Sequence, residues 1–556
     1  SRAAMIQATL DAREAFLTSS GALALWGPAL CTGRIPQDTY IVRHGRAVEA
    51  CDWSFSACNP MEPRAFDRLW DDALTVLEEK TSLYVTERSV GAERSSALPV
   101  RTVTDSPLVA LFTDNMFRQC HSERLPVGKA GSRGTKRPLS CFDYAQHDTF
   151  TLLVLPHDRV MTAPYEDVLR KSGGRTVDML VAMDFERMRG LVYGTSYLGC
   201  VKKLLFTTMN FLLPEQGILP LHCAANSGMQ GDTALFLGLS GTGKTTLSTD
   251  PNRHMIGDDE HLWSDRGIAN MEGGCYAKLA RLRKEKEPEI YSAVFGECHG
   301  STTLTMTRGV IIENAMMYPD GSFDLDDERL TENSRASYPL SFLPRMVKEG
   351  CAGHPSTILF LTADAQGVLP PLAKLDHTQA LLWFLMGYTS KLAGTEAGVT
   401  KPKSTFSRFF GGPFMPRKPM DYLTLFDEKL KKHETEVYLV NTGWSGGPAF
   451  APGASVGKPY GVGKRMDIAL TRRLVDAALS GELRDVPCWE DQKFHLRVPK
   501  ACPGVDSKLL HPKQTWADPD AYDRAAEALA QEFSAAFAKE FAGRVSQEIA
   551  AVCPGI

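Results

Sequence analysis

The apolar run Thr233-Ala234-Leu235-Phe236-Leu237-Gly238 opens directly into Leu239-Ser240-Gly241-Thr242-Gly243-Lys244-Thr245. From Gly238 to Thr245 the chain satisfies G-x-x-x-x-G-K-[ST] at every position. The apolar run reads as a buried strand, and the segment from Thr245 onward as the start of a helix. Between them, glycines let the main chain wrap its N–H groups toward a single point. The helix start faces that point with its positive end. Lys244 adds a localised charge for outer phosphates, and the Thr245 hydroxyl suits Mg²⁺. The pattern predicts phosphate binding through Gly238, Leu239, Ser240, Gly241, Thr242, Gly243, Lys244, Thr245 and Thr246. An ordinary glycine turn between strand and helix is the alternative.

A phosphate-binding loop needs a carboxylate to hold its metal. Met255-Ile256-Gly257-Asp258-Asp259-Glu260-His261 follows shortly after, and Asp258 and Asp259 are its natural candidates. Without the loop beside it, the same run would be a charged turn at a strand end. Other residues are less telling by themselves. His222, within Leu221-His222-Cys223-Ala224, reads first as a core histidine. Lys202-Lys203 reads as solvated surface, and Arg34 and Arg335 as ordinary surface arginines. Spacing alone does not join them into one site.

At 556 residues the chain has room for several domains. Hydrophobic residues at 43% and charged residues at 23% exclude a disordered chain. The 62 Lys and Arg against 66 Asp and Glu leave a net charge of −4, which gives no global field for nucleic acid. The 13 Cys are scattered without a CxxC pair, so a reducing, cytoplasmic setting is expected. No apolar run approaches the roughly 18 residues of a membrane span. The first residues carry Arg2, Arg13 and Glu14 and lack the apolar core of a signal peptide.

Residues 61–81 show helical spacing at Phe66, Leu69, Leu74, Val76 and Leu77. Residues 200–213 read as an amphipathic helix and 520–551 as helical with a break at Gly543. Strands are expected at 151–155, 178–183, 309–312 and 357–362. Residues 87–100 and 122–140 read as loops, the second including the basic run Gly131 to Pro138. Strands alternating with helices give an α/β fold. One boundary near Glu215 to Gly217 divides it into an N-terminal lobe, 1–216, and a C-terminal lobe, 217–556, that carries the loop. Residues 386–413 and 443–464 are rich in Gly, Pro, Ser and Thr, a composition often found in lids.

More motifs stand in a recognisable order. They are Thr32-Gly33-Arg34, Tyr197 to Lys203, Leu221-His222-Cys223, the glycine loop with Thr246 to Pro251, and Ile256 to His261. Glu272 to Lys278, Thr331 to Pro339, Leu361-Thr362-Ala363-Asp364, Lys391 to Glu396 and Asn441-Thr442-Gly443-Trp444 follow. In this order they resemble ATP-dependent phosphoenolpyruvate carboxykinases, from about Thr32 to about residue 490. The GTP-dependent class has a different phosphate loop that contains Cys.

The resemblance implies a two-lobed α/β enzyme with an active cleft between its lobes. It implies a carboxy-lyase of gluconeogenesis that interconverts oxaloacetate and ATP with phosphoenolpyruvate, ADP and CO₂. Its partners would be these small molecules, not nucleic acid or membrane, and it would be a monomer or homo-oligomer. Carried over by motif, Lys203, His222 and Asp259 would bind Mn²⁺, Thr245 would bind Mg²⁺, and Asp258 would support the metals. Arg34 and Arg335 would hold the substrate carboxylate and the transferring phosphoryl group, and Tyr197 would line the carboxylate pocket. Ser240 and Lys244 would cradle phosphates. Glu287, Arg465, Met466 and Thr471 would surround ribose and adenine, and 387–405 would close as a lid.

These residue types suit that chemistry. Decarboxylation leaves an enolate, and positive charge beside its oxygen stabilises it before it attacks the γ-phosphoryl group. An arginine fork matches carboxylate and phosphate oxygens. A lysine ligates metal only as the free amine, so burial and a neighbouring cation are expected to hold Lys203 neutral. A closed lid would exclude water.

Three stretches depart from the family pattern. Thr-Gly-Arg-Ser-Pro-Lys-Asp-Lys is here Thr32-Gly33-Arg34-Ile35-Pro36-Gln37-Asp38-Thr39. Tyr-x-Gly-Glu is Tyr197-Leu198-Gly199-Cys200. Residues 448–458 read as an insertion. Another kinase built on the same loop, and a nucleotide-binding regulator without turnover, are the competing readings.

Overall fold

The computed structural model describes residues 1–120, 149–296, 308–391, 403–449 and 463–556. The basic run 131–138, most of the expected lid and most of the 448–458 insertion lie outside the described residues. The chain divides into two compact units, Ser1–Glu215 with Asn270–Gly350, and Gln216–Ala269 with Cys351–Ile556. A single cut at 216–217 therefore misplaces residues 270–350. The reason is strand pairing. Ile311–Glu313 runs parallel to Leu23–Leu25, and Arg335–Pro339 joins Ile311–Glu313 to Gly274–Lys278, so these late strands complete a sheet begun near the N-terminus.

The first unit holds that five-stranded sheet and a larger one of eight strands. The larger runs Asn59–Met61, Thr39–Val42, Leu180–Asp184, Arg189–Tyr193, Phe150–Leu155, Leu98–Thr104, Tyr84–Val90, Arg118–Gln119. Its central members Phe150–Leu155 and Leu180–Asp184 are mostly apolar and buried along their whole length because both faces are covered. Of residues 87–100, expected as a loop, only 91–97 connect; the two ends belong to the antiparallel pair Tyr84–Val90 and Leu98–Thr104. Alternation between the buried and exposed faces of an edge ribbon made these strands look polar. The helix Pro63–Glu79 opens with proline in its first turn, where no N–H is needed. It buries Phe66, Leu69, Trp70, Ala73 and Leu77 against Tyr40, Leu153 and Leu191, whereas Leu74 and Val76 are only partly covered. At 100° per residue those two fall beside the buried stripe. Helix Gly199–Leu212 is buried on nearly every side rather than amphipathic.

The second unit is built on an eleven-stranded mixed sheet. Thr233–Gly238 pairs antiparallel with Leu219–Gly228 on one side and parallel with Pro355–Thr362 on the other. Pro355–Thr362 in turn lies parallel to Glu436–Asn441. These parallel strands are buried almost throughout. Their carboxyl ends lie side by side, which is where open α/β sheets place ligands. Around Gly387, a chain reversal leads into the antiparallel strands Tyr388–Lys391 and Lys403–Phe406. The C-terminal helical pattern resolves into Pro519–Glu540 and Gln547–Ala551, with Gly543 at φ 71° between them.

Gly274 shows how tightly the small sheet is packed. A Cβ there would lie 2.2 Å from the Asn115 carbonyl oxygen and 2.6 Å from that of Tyr338. Both are backbone atoms that cannot rotate away. Gly274→Ala is expected to destabilise the first unit by about 3 kcal/mol. A thermal unfolding scan that superimposes on the native one would show that the surrounding backbone yields freely.

Candidate functional site

In the second unit the predicted loop follows its strand directly. Gly241 and Gly243 take φ values of 86° and 90°, a region open to glycine without strain, and the helix Lys244–Ser248 begins at Gly243. That helix is short, so attraction for an anion rests on the loop amides and Lys244 more than on a helix dipole. Several groups brace the loop. The Thr242 hydroxyl donates to the Leu239 carbonyl at 2.8 Å, and the Thr442 hydroxyl to the Thr242 carbonyl at 3.1 Å. Arg465 donates to the Gly241 carbonyl at 3.3 Å while its guanidinium lies over Trp444. Arg472 donates to the Thr246 carbonyl at 2.8 Å and the Thr249 carbonyl at 3.3 Å, closing the short helix. Met466 N–H donates to Gly443, and Thr471 is buried in the helix Ile468–Leu479.

The Lys244 ammonium is nearly buried and lies 3.0 Å from Asp259 Oδ1 and 3.2 Å from His222 Nε2. His222 Nδ1 lies 2.7 Å from the Phe410 carbonyl. A carbonyl only accepts, so Nδ1 carries a proton, and Nε2 is turned toward Lys244 and toward Asp259 Oδ1, 3.0 Å away. An imidazole nitrogen and a carboxylate thus meet beside one lysine ammonium. That donor set fits a divalent metal as well as an ammonium. Phe409 and Phe410 both hold positive φ, 60° and 55°, unusual for large side chains, and this bend aims the Phe410 carbonyl. Asp258 is buried at the turn between Arg253–Gly257 and Glu260–Ser264, beside half-buried Asp259. His222 therefore belongs to a polar cluster, not to the apolar core.

The motifs at 361–364 and 441–444 meet at the ends of the neighbouring strands. Asn441 accepts from the Asp364 and Gly443 N–H groups. Asp364, fully buried, accepts from the N–H groups of Gln366, Val368 and Leu369. Burial still pushes its carboxyl above the usual range.

In the first unit, Arg34, Tyr197, Lys203, Glu287 and Arg335 occupy several elements. Tyr197 and Arg335 are linked through Asn333, whose amide donates to the Tyr197 hydroxyl and to the Thr32 carbonyl and accepts from Arg335 Nε at 3.0 Å. Arg34, two residues beyond Thr32, is exposed. Its charge pulls against the burial that pushes the neighbouring Cys200 thiol up to about 12, so position 200 carries no charge near neutrality. The Lys pair splits. Lys202 is buried in an ion pair with buried Glu272 at 3.0 Å, contrary to the surface reading, while Lys203 is half-buried over the Phe206 ring. Glu287 stands at the head of a separate helix, Pro288–Phe295.

Two groups escaped the sequence reading. Tyr276 places its ring 5.7 Å from the Arg335 guanidinium, 6.0 Å from the Lys202 ammonium and 6.1 Å from the Tyr197 ring. Its hydroxyl donates to Glu313, whose carboxyl also accepts the Leu198 N–H at 3.2 Å. Burial drives the Glu313 carboxyl up to about 7, against the lowering pull of both donors and Arg335. A carboxylate closing the apolar run Gly309-Val310-Ile311-Ile312 was the available signal.

A model of the phosphoenolpyruvate carboxykinase family, in its ATP-dependent form, matches residues 1–129 and 147–508. The phosphoenolpyruvate carboxykinase (ATP) of Geobacillus kaustophilus is 44% identical over 538 residues, covering 97% of this chain and 92% of that protein. That of Thermus thermophilus is 43% identical over 544 residues, covering 97% and 94%. That of Caldanaerobacter subterraneus is 40% identical over 549 residues, covering 98% and 95%. With a family model over most of its length and this breadth of likeness, the chain belongs to the ATP-dependent phosphoenolpyruvate carboxykinase family.

Proposed function

We propose that this chain carries out its family's reaction, converting oxaloacetate and ATP to phosphoenolpyruvate, ADP and CO₂, reversibly and in the service of gluconeogenesis. The observation that carries the reading is the Lys244 ammonium held between His222 Nε2 and Asp259 Oδ1 at the head of the glycine loop. A cation already sits where a phosphate-transfer site needs charge.

In this reading two lobes enclose the active cleft, and the loop is a P-loop. Loop amides, Ser240 and Lys244 take the phosphates, and Arg465, Met466, Thr471 and Glu287 surround ribose and adenine. His222, Asp259 and Lys203 hold Mn²⁺, with Asp258 in support, and Thr245 holds Mg²⁺. Divalent metals supply such a site with positive charge beside an enolate oxygen and between phosphate oxygens. Arg34 and Arg335 hold the oxaloacetate carboxylate and the transferring phosphoryl group, and Tyr197 lines the carboxylate pocket, which fixes the substrate so that the bond to the departing CO₂ is aligned. The fork of an arginine matches carboxylate and phosphoryl oxygens alike. The Phe410 carbonyl supports the assignment of His222, since it keeps a proton on Nδ1 and makes Nε2 the nitrogen turned toward the site. The proposed setting is cytoplasmic, with residues 387–405 as the lid. Among the described residues no helix is long and apolar enough to cross a membrane.

Three outcomes are expected. Incubated with oxaloacetate, Mn²⁺ and Mg-ATP, the protein should release CO₂ matched by phosphoenolpyruvate, after subtraction of metal-catalysed decarboxylation, and GTP should support far less. ATP binding without phosphoenolpyruvate would favour the regulator reading instead. Lys244→Met should lower kcat by about a thousandfold, because a preorganised charge at the phosphoryl group is lost. A loss below tenfold would remove Lys244 from the chemistry. His222→Asn and Asp259→Asn should each weaken Mn²⁺ binding, followed by the electron paramagnetic resonance signal of the free ion, by about 10- to 100-fold. Unchanged titrations in both variants would place the metal elsewhere.

A further inference from the structure

We infer that Glu313 is a positioning residue for oxaloacetate: from inside the first unit it fixes Tyr276 and the start of the helix Gly199–Leu212, and through them Arg335 and Tyr197. The inference rests on the reading of Arg335 and Tyr197 as substrate contacts.

Glu313 is 1% exposed and ends the strand Ile311–Glu313. In the antiparallel ladder its register partner is Arg335. Burying a carboxylate is costly unless its oxygens are fully used. Here both are used, and each reaches a part of the proposed site. Oε1 accepts the N–H of Leu198, which adjoins Tyr197 and precedes the helix that bears Lys202 and Lys203. Leu198 is the residue from which that helix starts, so Glu313 fixes the start of the helix from another strand. Oε2 accepts from the Tyr276 hydroxyl.

Held by that bond, the Tyr276 ring becomes a platform. Arg335 lies over it at 5.7 Å, and Tyr197 packs against it at 6.1 Å. Phe112 meets it edge-on at 5.5 Å and limits its tilt. Asn333 closes the circuit between Tyr197 and Arg335. A shift of the Tyr276 ring would therefore move the guanidinium and the phenol together. A residue needed only to cap a helix would touch Leu198 alone.

The protonation of Glu313 decides which way its bonds run. The titratable and charged groups around it are Tyr276, Arg335, Tyr197 and the buried thiol of Cys200, with Lys202 beyond the Tyr276 ring and committed to Glu272. Above about pH 7 the carboxylate accepts from both Tyr276 and Leu198. Below it, a protonated oxygen faces the Tyr276 hydroxyl and the bond must reverse. A glutamine imitates the acid form, with one acceptor oxygen and one donor amide.

The test compares steady-state kinetics of native protein, Glu313→Gln and Tyr276→Phe from pH 6 to 8, with Arg335→Lys and Tyr197→Phe alongside. Tyr276→Phe deletes one hydroxyl and serves if Glu313→Gln folds poorly. At pH 7.5 both variants should raise KM for oxaloacetate about tenfold and leave KM for ATP within about twofold, as the loss of one charge-assisted hydrogen bond implies. In native protein KM for oxaloacetate should fall as pH rises through about 7. In Glu313→Gln that component should vanish, leaving KM near the native acid value. Oxaloacetate KM and pH profile unchanged in both variants, with Arg335→Lys and Tyr197→Phe impaired, would overturn the inference alone. If Arg335→Lys and Tyr197→Phe are also silent, the site reading falls and the inference with it.

Discussion

The parallel pairing of Thr233–Gly238 with Pro355–Thr362 is the constraint on which the second unit depends. With neighbours on both sides and burial along its length, this strand ends at one fixed point, opposite Leu361. The glycine loop then turns where the adjacent strand ends also turn. Asp364, Asn441 and Thr442 arise from distant parts of the chain, yet meet there, because parallel strands finish on the same edge. Their hydrogen bonds occupy polar groups that burial would otherwise leave unpaired. The loop is thereby held from both sides, by its own Thr242 hydroxyl and by Thr442.

Charge is handled differently in the two units. In the second, Lys244 is nearly buried and meets both the Asp259 carboxylate and the His222 imidazole, at the mouth of the glycine loop. In the first, Lys202 and Glu272 neutralise each other in full burial, and Glu313 keeps its acceptors occupied by a phenol and a backbone N–H. Breaking one side of such an arrangement strands the other, which makes these groups costly to lose. Cys200 adds no charge to this setting, since burial keeps its thiol protonated. The electrostatics around Tyr197 therefore fall to Arg34, Arg335 and Glu313.

The loop from Gly238 to Thr245, its strand and the helix at 63–79 were legible because each is specified by neighbours in sequence. A strict motif needs no distant partner, and a helical stripe repeats every three or four residues. The edge ribbon Tyr84–Val90 with Leu98–Thr104 was not legible, since a half-exposed strand mixes polar with apolar residues as a loop does. The Phe409–Phe410 bend was hidden for another reason. Nothing in two adjacent phenylalanines announces positive φ, and it is the packing of both rings in the core that imposes it.

The sequence by itself determined the α/β character, the glycine loop after its strand, the carboxylates that follow it and the family, because these reside in local pattern and in the order of short motifs. Tertiary structure decided which groups meet. It returned residues 270–350 to the first unit through strand pairing, set the Phe410 carbonyl on His222, buried Lys202 against Glu272 and placed Tyr276 between Glu313 and Arg335. Those contacts join residues tens to hundreds of positions apart. They exist only once sheet register is fixed, and register is set by burial across the whole sheet rather than by any one segment.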